Sequence, residues 1–210
     1  MDGVIDGWQF FDSTVGGDKA KITLIEQYGT FDINTSSTFS SCTALNITAT
    51  DAPTISSTDL STTFFSCGTL TSPSFSGWDV SNVTNFDGMF KGCGGFTEAG
   101  INSIAGWDVG NGQTFVQMLR DTANLGALNL SSWDITSATS FNTFIAGSSN
   151  LSTANYDALL VSWAAQSFIQ NAQAAGFGGS TFTGGGTAAA ARATLEAGKA
   201  GWNITDGGIA

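Results

Sequence analysis

The chain has no histidine, only two prolines and three cysteines, and charged residues make up just 11% of its 210 positions. Without histidine, it lacks both a common general base of enzymes and the commonest metal ligand. No two cysteines have the C-x-x-C spacing of a metal site. Because no nucleophile–base pair is visible either, the sequence predicts no enzyme, no catalytic residue, no cofactor and no metal.

Positive charge is also scarce, since six Lys plus Arg stand against 17 Asp plus Glu, a formal net charge of −11. Nucleic-acid phosphates and anionic membranes are bound mainly through Lys and Arg, so both kinds of partner are excluded. No run approaches the roughly 18 apolar residues of a membrane span. Residues 1–10 lack the basic and apolar regions of a signal peptide. We therefore expect either an excised domain of an exported protein or a virion component released by lysis.

A repeated unit takes up the middle of the chain. Its clearest copy, residues 77–96, reads GWDVSNVTNFDGMFKGCGGF, and two further copies begin 29 and 26 residues later. Counted from the tryptophans Trp78, Trp107 and Trp133, the copies share Asp at +1, Val or Ile at +2 and Phe at +8. They also share apolar residues at +11 and +12 and a small residue at +15. A period of roughly 20 to 50 residues indicates a solenoid or a related array.

Two weaker copies precede these three. Cys42 and Cys67 lie 25 residues apart and Cys93 follows 26 residues later, so all three occupy offset +15. Leu60 takes the +8 position of the second copy, although Ala52 stands where the tryptophan would be. The sequence therefore predicts about five coils over residues 31–151, which exceeds the roughly three repeats that a stable array needs.

The units WDVSNVTNFDGMFKGCGGF, WDVGNGQTFVQMLRDTANL and WDITSATSFNTFIAGSSNL resemble the BspA-like bacterial surface repeat, a divergent leucine-rich-repeat family. The resemblance is strong over residues 76–151 and weaker back to residue 31. It implies an α/β, LRR-like solenoid of short parallel strands and short helical turns. It also implies a surface-exposed recognition or adhesion role, and it supplies no catalytic residues.

Within each coil, the stretch from tryptophan to valine is predicted to be a short strand of a parallel sheet. Phe86, Met89 and Phe90 follow at i, i+3 and i+4, which predicts a helical or 3₁₀ turn that faces inward. Because Phe115 and Phe141 share offset +8 with Phe86, the three rings are expected to form one buried column.

Both ends of the chain depart from the repeat and are predicted to be caps on a single structural domain. Residues 1–30 form the N-terminal cap, with a strand over residues 21–28. Residues 152–210 form the C-terminal cap, which shields the open apolar end and the sheet edge of the last coil. Its first helix has an apolar stripe at i, i+3, i+4 and i+7, formed by Tyr156, Leu159, Leu160 and Trp163. The candidate N-caps of that helix are Ser152, Thr153 and Asn155.

The secondary structure of the rest of the C-terminal cap is predicted from its glycines and from residues typical of helix ends. Residues 170–186 are glycine-rich and are predicted to form a loop with a short strand at most. A second helix is expected after Thr187 as its N-cap, with Gly198 following its end. Residues 201–208 are expected to be a closing strand. Its inward side chains would be Trp202 and Ile204.

The three cysteines allow three interpretations. Neighbouring coils bring Cys42 and Cys67, or Cys67 and Cys93, close enough for a disulfide, and three thiolates are also a metal-binding set. The later coils place Thr122 and Ser148 at the same offset, which favours a buried site for a small, slightly polar side chain. We therefore expect inert, reduced thiols.

The aspartates at +1, Asp79, Asp108 and Asp134, are expected to stack as well. Stacked carboxylates suggest a Ca²⁺ site or an acid–base pair. Ca²⁺ needs roughly six to eight oxygen ligands, however, and no Asp-x-Asp cluster surrounds these residues. The favoured interpretation is that each aspartate accepts backbone N–H groups of its own turn, as in an Asx turn.

The repeat tryptophans Trp78, Trp107 and Trp133 would stack sugars if they lined an exposed face. The Val or Ile two residues after each one favours a place in the core instead. N-glycosylation sequons recur because the repeat is rich in Asn, Ser and Thr, and they matter only on a glycosylating secretory route. These sequons begin at Asn46, Asn82, Asn129, Asn150 and Asn203.

These features predict a non-catalytic recognition or adhesion module located outside the cell, on a cell surface or a virion surface. The expected partner is a surface protein or a glycan, bound by an exposed face whose residues the sequence does not identify. Two settings are open: a phage tail-fibre or capsid-decoration component, and an adhesion domain of a bacterial surface protein. The third alternative is a purely structural spacer without a ligand, and any of these would fit assembly into a larger particle or oligomer.

Overall fold

The structure, a computed structural model, describes residues 18–71, 73–167, 174–197 and 202–210. Within these ranges it is a mixed α/β fold with eight short strands and three α-helices. The strands are β1 (Leu24–Ile25), β2 (Asp32–Ile33), β3 (Asn46–Ile47), β4 (Thr54–Ile55), β5 (Ala174–Gly176), β6 (Thr181–Phe182), β7 (Asn203–Thr205) and β8 (Gly208–Ile209). The helices are α1 (Glu98–Asn102), α2 (Thr153–Ala164) and α3 (Gly186–Ala197), and 3₁₀ turns span Asp18–Ala20 and Leu125–Ala127.

All strand pairs are parallel. β1 pairs with β3 and β2 with β4 near the start of the described chain, while β5 pairs with β7 and β6 with β8 near its end. Parallel neighbours need a long crossover connection between them. Leu24 accordingly lies 22 positions before its partner Asn46, which is close to the repeat length.

The sequence repeats lie against one another in chain order. Single parallel bridges join their +7 positions, which are Asp59, Asn85, Thr114 and Ser140. Backbone N–H groups of one repeat donate to carbonyls of the next, as from Phe90 to Met118 at 2.9 Å. The first two repeats are joined in the same way, by the N–H of Phe39 and the carbonyl of Thr63 at 2.9 Å. Neighbouring repeats therefore satisfy one another's backbone polar groups.

The prediction of a strand from tryptophan to valine is wrong. Residues 78–80, 107–109 and 133–135 form no strand, and the parallel bridges lie instead at +7. The reason is the aspartate at +1, whose side chain accepts a nearby N–H; for example, Gly110 N–H donates to Asp108 at 3.1 Å. A local side-chain acceptor of this kind offers the backbone an alternative to a sheet ladder.

The predicted inward turn at +8 to +12 is confirmed. Met89 N–H donates to the Phe86 carbonyl at 3.2 Å, and Cys93 N–H to the Phe90 carbonyl at 3.1 Å, which is the i→i+3 pattern of a 3₁₀-type turn. The backbone φ is positive at +10 and +14 in every repeat, at Ser37 and Ser41, Thr62 and Ser66, Gly88 and Gly92, Gln117 and Asp121, and Thr143 and Gly147. The five repeats thus share the same backbone conformation at these two offsets, although their residue types differ.

The predicted phenylalanine column is also confirmed. Phe86, Phe115 and Phe141 are fully buried, and their rings stack at centroid distances of 5.0 and 4.7 Å. A second column runs through the +12 positions of the first three repeats, Phe39, Phe64 and Phe90, with spacings of 5.4 and 5.7 Å. Stacked phenyl rings at these distances contribute packing beyond their buried area.

The N-terminal part contains less strand than predicted. The strand expected over residues 21–28 is limited to the two residues of β1. The turn that follows is held by Asp51, which accepts the N–H of Tyr28 at 3.0 Å and the N–H of Gly29 at 2.7 Å. These bonds, that of Tyr28 first, lower the pKa of Asp51. Residues 1–17, which include most of the predicted N-terminal cap and the acidic N-terminus, lie outside the described residues.

Helix α2 begins where its N-cap signal places it. The Ser152 hydroxyl accepts the N–H of Asn155 at 3.3 Å, and the helix starts at the next residue, Thr153. The predicted apolar stripe is buried along its whole length, at Tyr156, Leu159, Leu160 and Trp163. Within the described ranges, no helix combines the length and the apolar character that crossing a bilayer requires.

The remaining C-terminal strands continue the parallel pairing of the repeats. Ala175 in β5 bridges to Phe141, and Ile204 in β7 pairs with Ala175. The predicted closing strand is two short strands, β7 and β8, and the predicted loop contains both β5 and β6. Helix α3 starts at Gly186, so Thr187 lies in its first turn and is not its N-cap. The predictions that concern residues 170–173, Gly198 and Gly201 lie outside the described residues.

Candidate functional site

The side chains at +15 form a hydrogen-bonded column through the core. From the second repeat onward, each thiol or hydroxyl donates to the main-chain carbonyl at +12 of the preceding repeat. The pairs are Cys67 Sγ to Phe39 O at 3.1 Å, Cys93 Sγ to Phe64 O at 3.0 Å, Thr122 Oγ1 to Phe90 O at 2.8 Å and Ser148 Oγ to Leu119 O at 2.5 Å. The position requires a short side chain with one donor, which explains why Cys, Thr and Ser replace one another there.

The three cysteines are fully buried as free thiols. Burial raises the pKa of Cys42 to about 11 and that of Cys93 to about 12, and it raises the pKa of Cys67 as well. Because the thiolate is the nucleophile and the metal ligand, such thiols are poorly suited to either role at neutral pH. Across the part of the chain that the structure describes, no group of three or more Cys, Asp or Glu side chains is placed to hold a metal ion.

The aspartates at +1 form the Asx turns that the sequence favours. Each accepts the backbone N–H two residues on, in the pairs Ser81 to Asp79 at 3.1 Å, Gly110 to Asp108 at 3.1 Å and Thr136 to Asp134 at 3.0 Å. The hydroxyl of Ser81 also donates to Asp79 at 2.6 Å. That bond and the backbone bond from the same residue lower the pKa of Asp79. The three carboxylates therefore hold turns, and each stays exposed.

The repeat tryptophans lie in the core, which confirms the favoured interpretation of the sequence. Trp78, Trp107 and Trp133 are only 4%, 4% and 0% exposed, which leaves no ring face for a sugar to stack on. The indole N–H of Trp107 donates to Phe75 O at 2.8 Å and that of Trp133 to Ile104 O at 3.2 Å. Trp78 Nε1, the first of the column, has no hydrogen-bond acceptor among the described residues.

The sequons differ in accessibility. Exposed asparagines begin those at Asn82, Asn129, Asn150 and Asn203, whereas Asn46 is half-buried in β3. Two of the exposed amides already accept backbone N–H groups: Asn129 from Ser131 at 3.0 Å and Asn150 from Gly179 at 3.0 Å. One more sequon, Asn34-Thr-Ser, also begins at an exposed asparagine.

One face of the repeats carries side chains that differ in charge and polarity from repeat to repeat, while offsets +8, +11 and +12 stay apolar in the last three repeats. We call it the outer turn face and define it by the partly or fully exposed side chains at +9, +10 and +13 of the last four repeats. Its members are Ser61, Thr62, Phe65, Asp87, Lys91, Val116, Gln117, Arg120, Asn142, Thr143 and Ala146. At +13 the residues change from Phe to Lys, Arg and Ala along the face, whereas +8 keeps Phe in the last three repeats.

Lys91 and Arg120 give the outer turn face its positive charge. Lys91 Nζ donates to Gln117 Oε1 at 2.7 Å and lies 5.6 Å from the ring centroid of Phe65. Arg120 Nε lies 3.4 Å from Asp121 Oδ2, but the pair is not aligned as a hydrogen bond. The two cations occupy the same offset on adjacent repeats, whose backbones are joined by Gly92 N–H and Arg120 O at 2.9 Å.

A second polar cluster closes the C-terminal segment. Asp206, whose side chain is only 3% exposed, accepts the hydroxyl of Tyr156 at 2.7 Å and Nε of Arg192 at 2.8 Å. Arg192 also pairs with Glu196 at 2.7 Å and donates to Ile204 O at 3.3 Å. Burial alone would lower the pKa of Arg192, but the hydrogen bond and charge of Asp206 raise it. Burial, followed by the bond to Asp206, raises the pKa of Tyr156.

This cluster joins helices α2 and α3 to the last strands and serves to hold them. Thr205 O points toward β5, because it accepts the N–H of Phe177 at 2.8 Å. Carbonyls alternate along a strand, so Ile204 O points to the opposite, open edge of β7. Arg192 covers that carbonyl, and a charged side chain at an edge discourages pairing with another chain.

Sequence reasoning missed the outer turn face and the cluster around Asp206. The variation at +13, beside inward offsets that stay apolar in the last three repeats, was a usable signal for the face. No comparable signal existed for Asp206, because its partners Tyr156 and Arg192 are 50 and 14 residues away.

Comparison with models of protein families gives a match. A family model described as "Mycoplasma protein of unknown function, DUF285" matches residues 33–172, which is two thirds of the chain. No curated protein and no solved structure matches the chain significantly. The matched range begins within the first repeat, at β2, and extends past helix α2.

Proposed function

Because the chain belongs to the DUF285 family, we propose that it is a BspA-like recognition or adhesion module that acts outside the cell and catalyses no reaction. In this proposal residues 31–151 form an LRR-like solenoid of about five coils. Residues 1–30 and 152–210 cap its ends. The partner is a surface protein or a glycan.

The solenoid is supported by the backbone. The parallel bridges between +7 positions link successive repeats, and the two left-handed residues recur at the same offsets in all five. Equivalent side chains consequently stack in columns, as the rings of Phe115 and Phe141 do at 4.7 Å. Stacking of this kind, in which each repeat contacts its neighbours, is the architecture of solenoid proteins.

The observation that carries the functional proposal is the contrast between the inward and outward positions of the repeats. In the last three repeats the inward offsets +8, +11 and +12 keep large apolar residues, whereas +13 presents the half-exposed residues Phe65, Lys91, Arg120 and Ala146 in a row. A constant frame with varied outward side chains is what a recognition surface requires, because specificity comes from side chains placed on a rigid scaffold. We therefore assign the binding role to the outer turn face.

Two settings fit this module: an adhesion domain of a bacterial surface protein, and a phage tail-fibre or capsid-decoration component. Genes beside the coding sequence distinguish them, as an export and surface-anchoring cassette in one case and capsid and tail genes in the other. A spacer domain without a ligand is the competing structural role. No observation favours nucleic acid as a partner, since the chain carries a formal charge of −11.

The proposal is tested by a binding screen with two matched variants. Immobilised chain is screened against a glycan array and against labelled cell-surface proteins. Binders are then measured with Asn142→Glu, on the outer turn face, and with Asn82→Glu, at offset +4. Both asparagines are exposed, and both changes add one negative charge. Loss of binding for Asn142→Glu alone supports the assignment. Equal effects of the two variants would contradict the assignment of binding to the outer turn face. The absence of any binder would favour the role of a spacer domain without a ligand.

A further inference from the structure

The outer turn face holds all the positive charge of the repeats in one place. Residues 31–151 contain nine acidic residues but only two basic ones, Lys91 and Arg120. These two stand at the same offset on adjacent, hydrogen-bonded repeats, about one rung of roughly 4.8 Å apart. Like charges directly opposite each other on paired backbones repel, so the arrangement has a cost when no anion lies between them.

Neither cation has its hydrogen-bonding capacity satisfied by the described residues. An ammonium group has three donors, and Lys91 uses one of them, toward Gln117 Oε1 at 2.7 Å. A guanidinium group has five donors, and that of Arg120 makes no hydrogen bond to any described residue. Its near neighbour, Asp121 Oδ2 at 3.4 Å, is misaligned. Nε of Arg120 is buried, but the side chain as a whole is 39% exposed, so the two Nη groups are the donors open to a ligand.

Besides the carboxylates of Asp87 and Asp121, the surroundings of the pair are rich in neutral hydrogen-bonding groups. Ser61, Thr62, Gln117, Asn142 and Thr143 supply hydroxyls and amides on the same face. Phe65, half-exposed and next to Lys91, supplies an aromatic surface. Hydroxyls, amides and one aromatic ring are the groups that bind sugar hydroxyls and the apolar side of a sugar ring.

The negative charges of the protein limit how acidic a partner can be. Asp87 lies on the same face and Asp121 follows Arg120 at +14, and the whole chain carries −11. A polyanion, such as a sulfated polysaccharide or a peptide with a run of acidic residues, would meet these charges along its length. A chain with one carboxylate among neutral hydroxyls meets the cation pair and avoids that repulsion.

We propose that the outer turn face binds an oligosaccharide that carries isolated carboxylates, of the uronic or sialic acid type, with one carboxylate held between Lys91 and Arg120. Charge-assisted bonds from both cations fix the acid group, and the side chains around Phe65 and Asn142 contact the adjoining neutral sugars. This inference rests on the proposed function and narrows its ligand class.

The test compares each acidic sugar with its own neutral counterpart. Sialyllactose, lactose, galacturonate oligosaccharides and the carboxyl-reduced forms of the acids are immobilised, and binding of the full chain is measured. An acidic peptide with several glutamates serves as the alternative probe. The acids are expected to bind at least about tenfold more tightly than the neutral sugars, since hydrogen bonds to charged groups are worth that much. The difference should shrink in high salt.

Substitutions of the two cations test whether they bind the carboxylate of the sugar. Lys91→Gln with Arg120→Gln should reduce binding of the acids to the level of their neutral forms, while Arg120→Lys should retain part of it. Asp108→Asn is the matched control, because asparagine still forms an Asx turn and the residue lies at +1, away from the pair. Thermal melts of all variants verify that they fold.

Equal binding of acidic and neutral sugars, no binding of either acid, or unchanged binding by the double variant would overturn the inference. Tighter binding of the acidic peptide would also overturn it and assign the pair to a protein ligand. These results leave the proposed function standing if Asn142→Glu still abolishes binding of whatever partner the screen finds.

Discussion

The indole N–H of Trp163, on helix α2, donates a 3.1 Å hydrogen bond to the main-chain carbonyl of Leu130. Trp107 and Trp133 make the same kind of bond to carbonyls 32 and 29 residues earlier in the chain. The sequence of helix α2 does not follow the repeat, yet the helix places a tryptophan where a further repeat would have one. The C-terminal segment therefore continues the core of the repeats while ending their pattern.

The first prediction concerns removal of that segment. Deleting residues 152–210 uncovers Phe141, whose ring lies 4.9 Å from that of Trp163, and leaves the backbone edge of the last repeat unpaired. We expect the truncated chain to aggregate or to fold poorly, as judged by light scattering and circular dichroism. A monomeric truncated chain of undiminished stability would show that the segment is not a cap. Val161→Ser is the control, because this side chain of α2 is 41% exposed and its loss should change little.

The second prediction concerns the phenylalanine column. Phe115→Ala removes the central ring between Phe86 and Phe141 and should lower the free energy of unfolding by roughly 3–5 kcal/mol. Phe65→Ala removes the same atoms from a half-exposed site and should cost about 1 kcal/mol or less. Denaturant melts measure both. A loss below about 1 kcal/mol for Phe115→Ala would mean that the central repeat is not packed as described.

The third prediction concerns the thiols. Cys42, Cys67 and Cys93 should stay reduced and free of metal, and a thiol probe should label them only after denaturation, because burial raises the pKa of each. Quantitative labelling with and without urea, together with metal analysis, is the measurement. Rapid labelling of the native chain or stoichiometric metal would contradict the expectation.

The same thiols predict how stability depends on pH. The pKa of Cys93 is about 12 in the folded state against an ordinary value of 9.0, so between these limits only the unfolded thiol loses its proton. The free energy of unfolding should therefore fall as the pH rises from 9 toward 12, by up to about 1.4 kcal/mol per pH unit. Cys93→Thr keeps the donor, as Thr122 does in the next repeat, and should make this dependence shallower.

The fourth prediction concerns the cluster around Asp206. Asp206→Asn removes the charge that faces Arg192 at 2.8 Å in a site where the aspartate is 3% exposed, and it should cost roughly 3 kcal/mol. Glu196→Gln breaks the other ion pair of the same arginine, which is more exposed, and should cost about 0.5 kcal/mol or less. Chemical denaturation compares the two. Similar losses for both would show that burial does not distinguish the pairs.

The fifth prediction concerns the left-handed turn positions. Thr143 has a φ of 49° and its equivalent in the third repeat, Gly88, has a φ of 61°. A β-branched residue is strained there, so Thr143→Gly should raise the free energy of unfolding by about 1 kcal/mol. Gly88→Ala should lower it by a similar amount, because its new methyl group would also lie 3.3 Å from Thr62. If both changes destabilise the protein, the +10 positions do not share one conformation.

Several features could be predicted because they repeat at fixed offsets. Burial is periodic, so Phe86, Phe115 and Phe141 could be assigned to one column, and the stripe from Tyr156 to Trp163 could be assigned to the inner side of a helix. Local hydrogen bonding is short-range, so the Asx turns at Asp79, Asp108 and Asp134 and the cap at Ser152 were visible as well. The strand at tryptophan was misplaced because alternation alone does not register that Asp at +1 competes for the backbone.

By itself, the sequence determined the repeat, its inward side chains and its scarcity of positive charge, since each of these depends on residue type and spacing alone. Only the tertiary structure decided where the repeats pair, because pairing at +7 depends on which backbone groups the turns leave free. It alone also brought Lys91 beside Arg120 on one face and Tyr156 beside Asp206 across 50 residues. Contacts between distant residues depend on how the chain returns on itself, and that course is a property of the packed repeats as a whole.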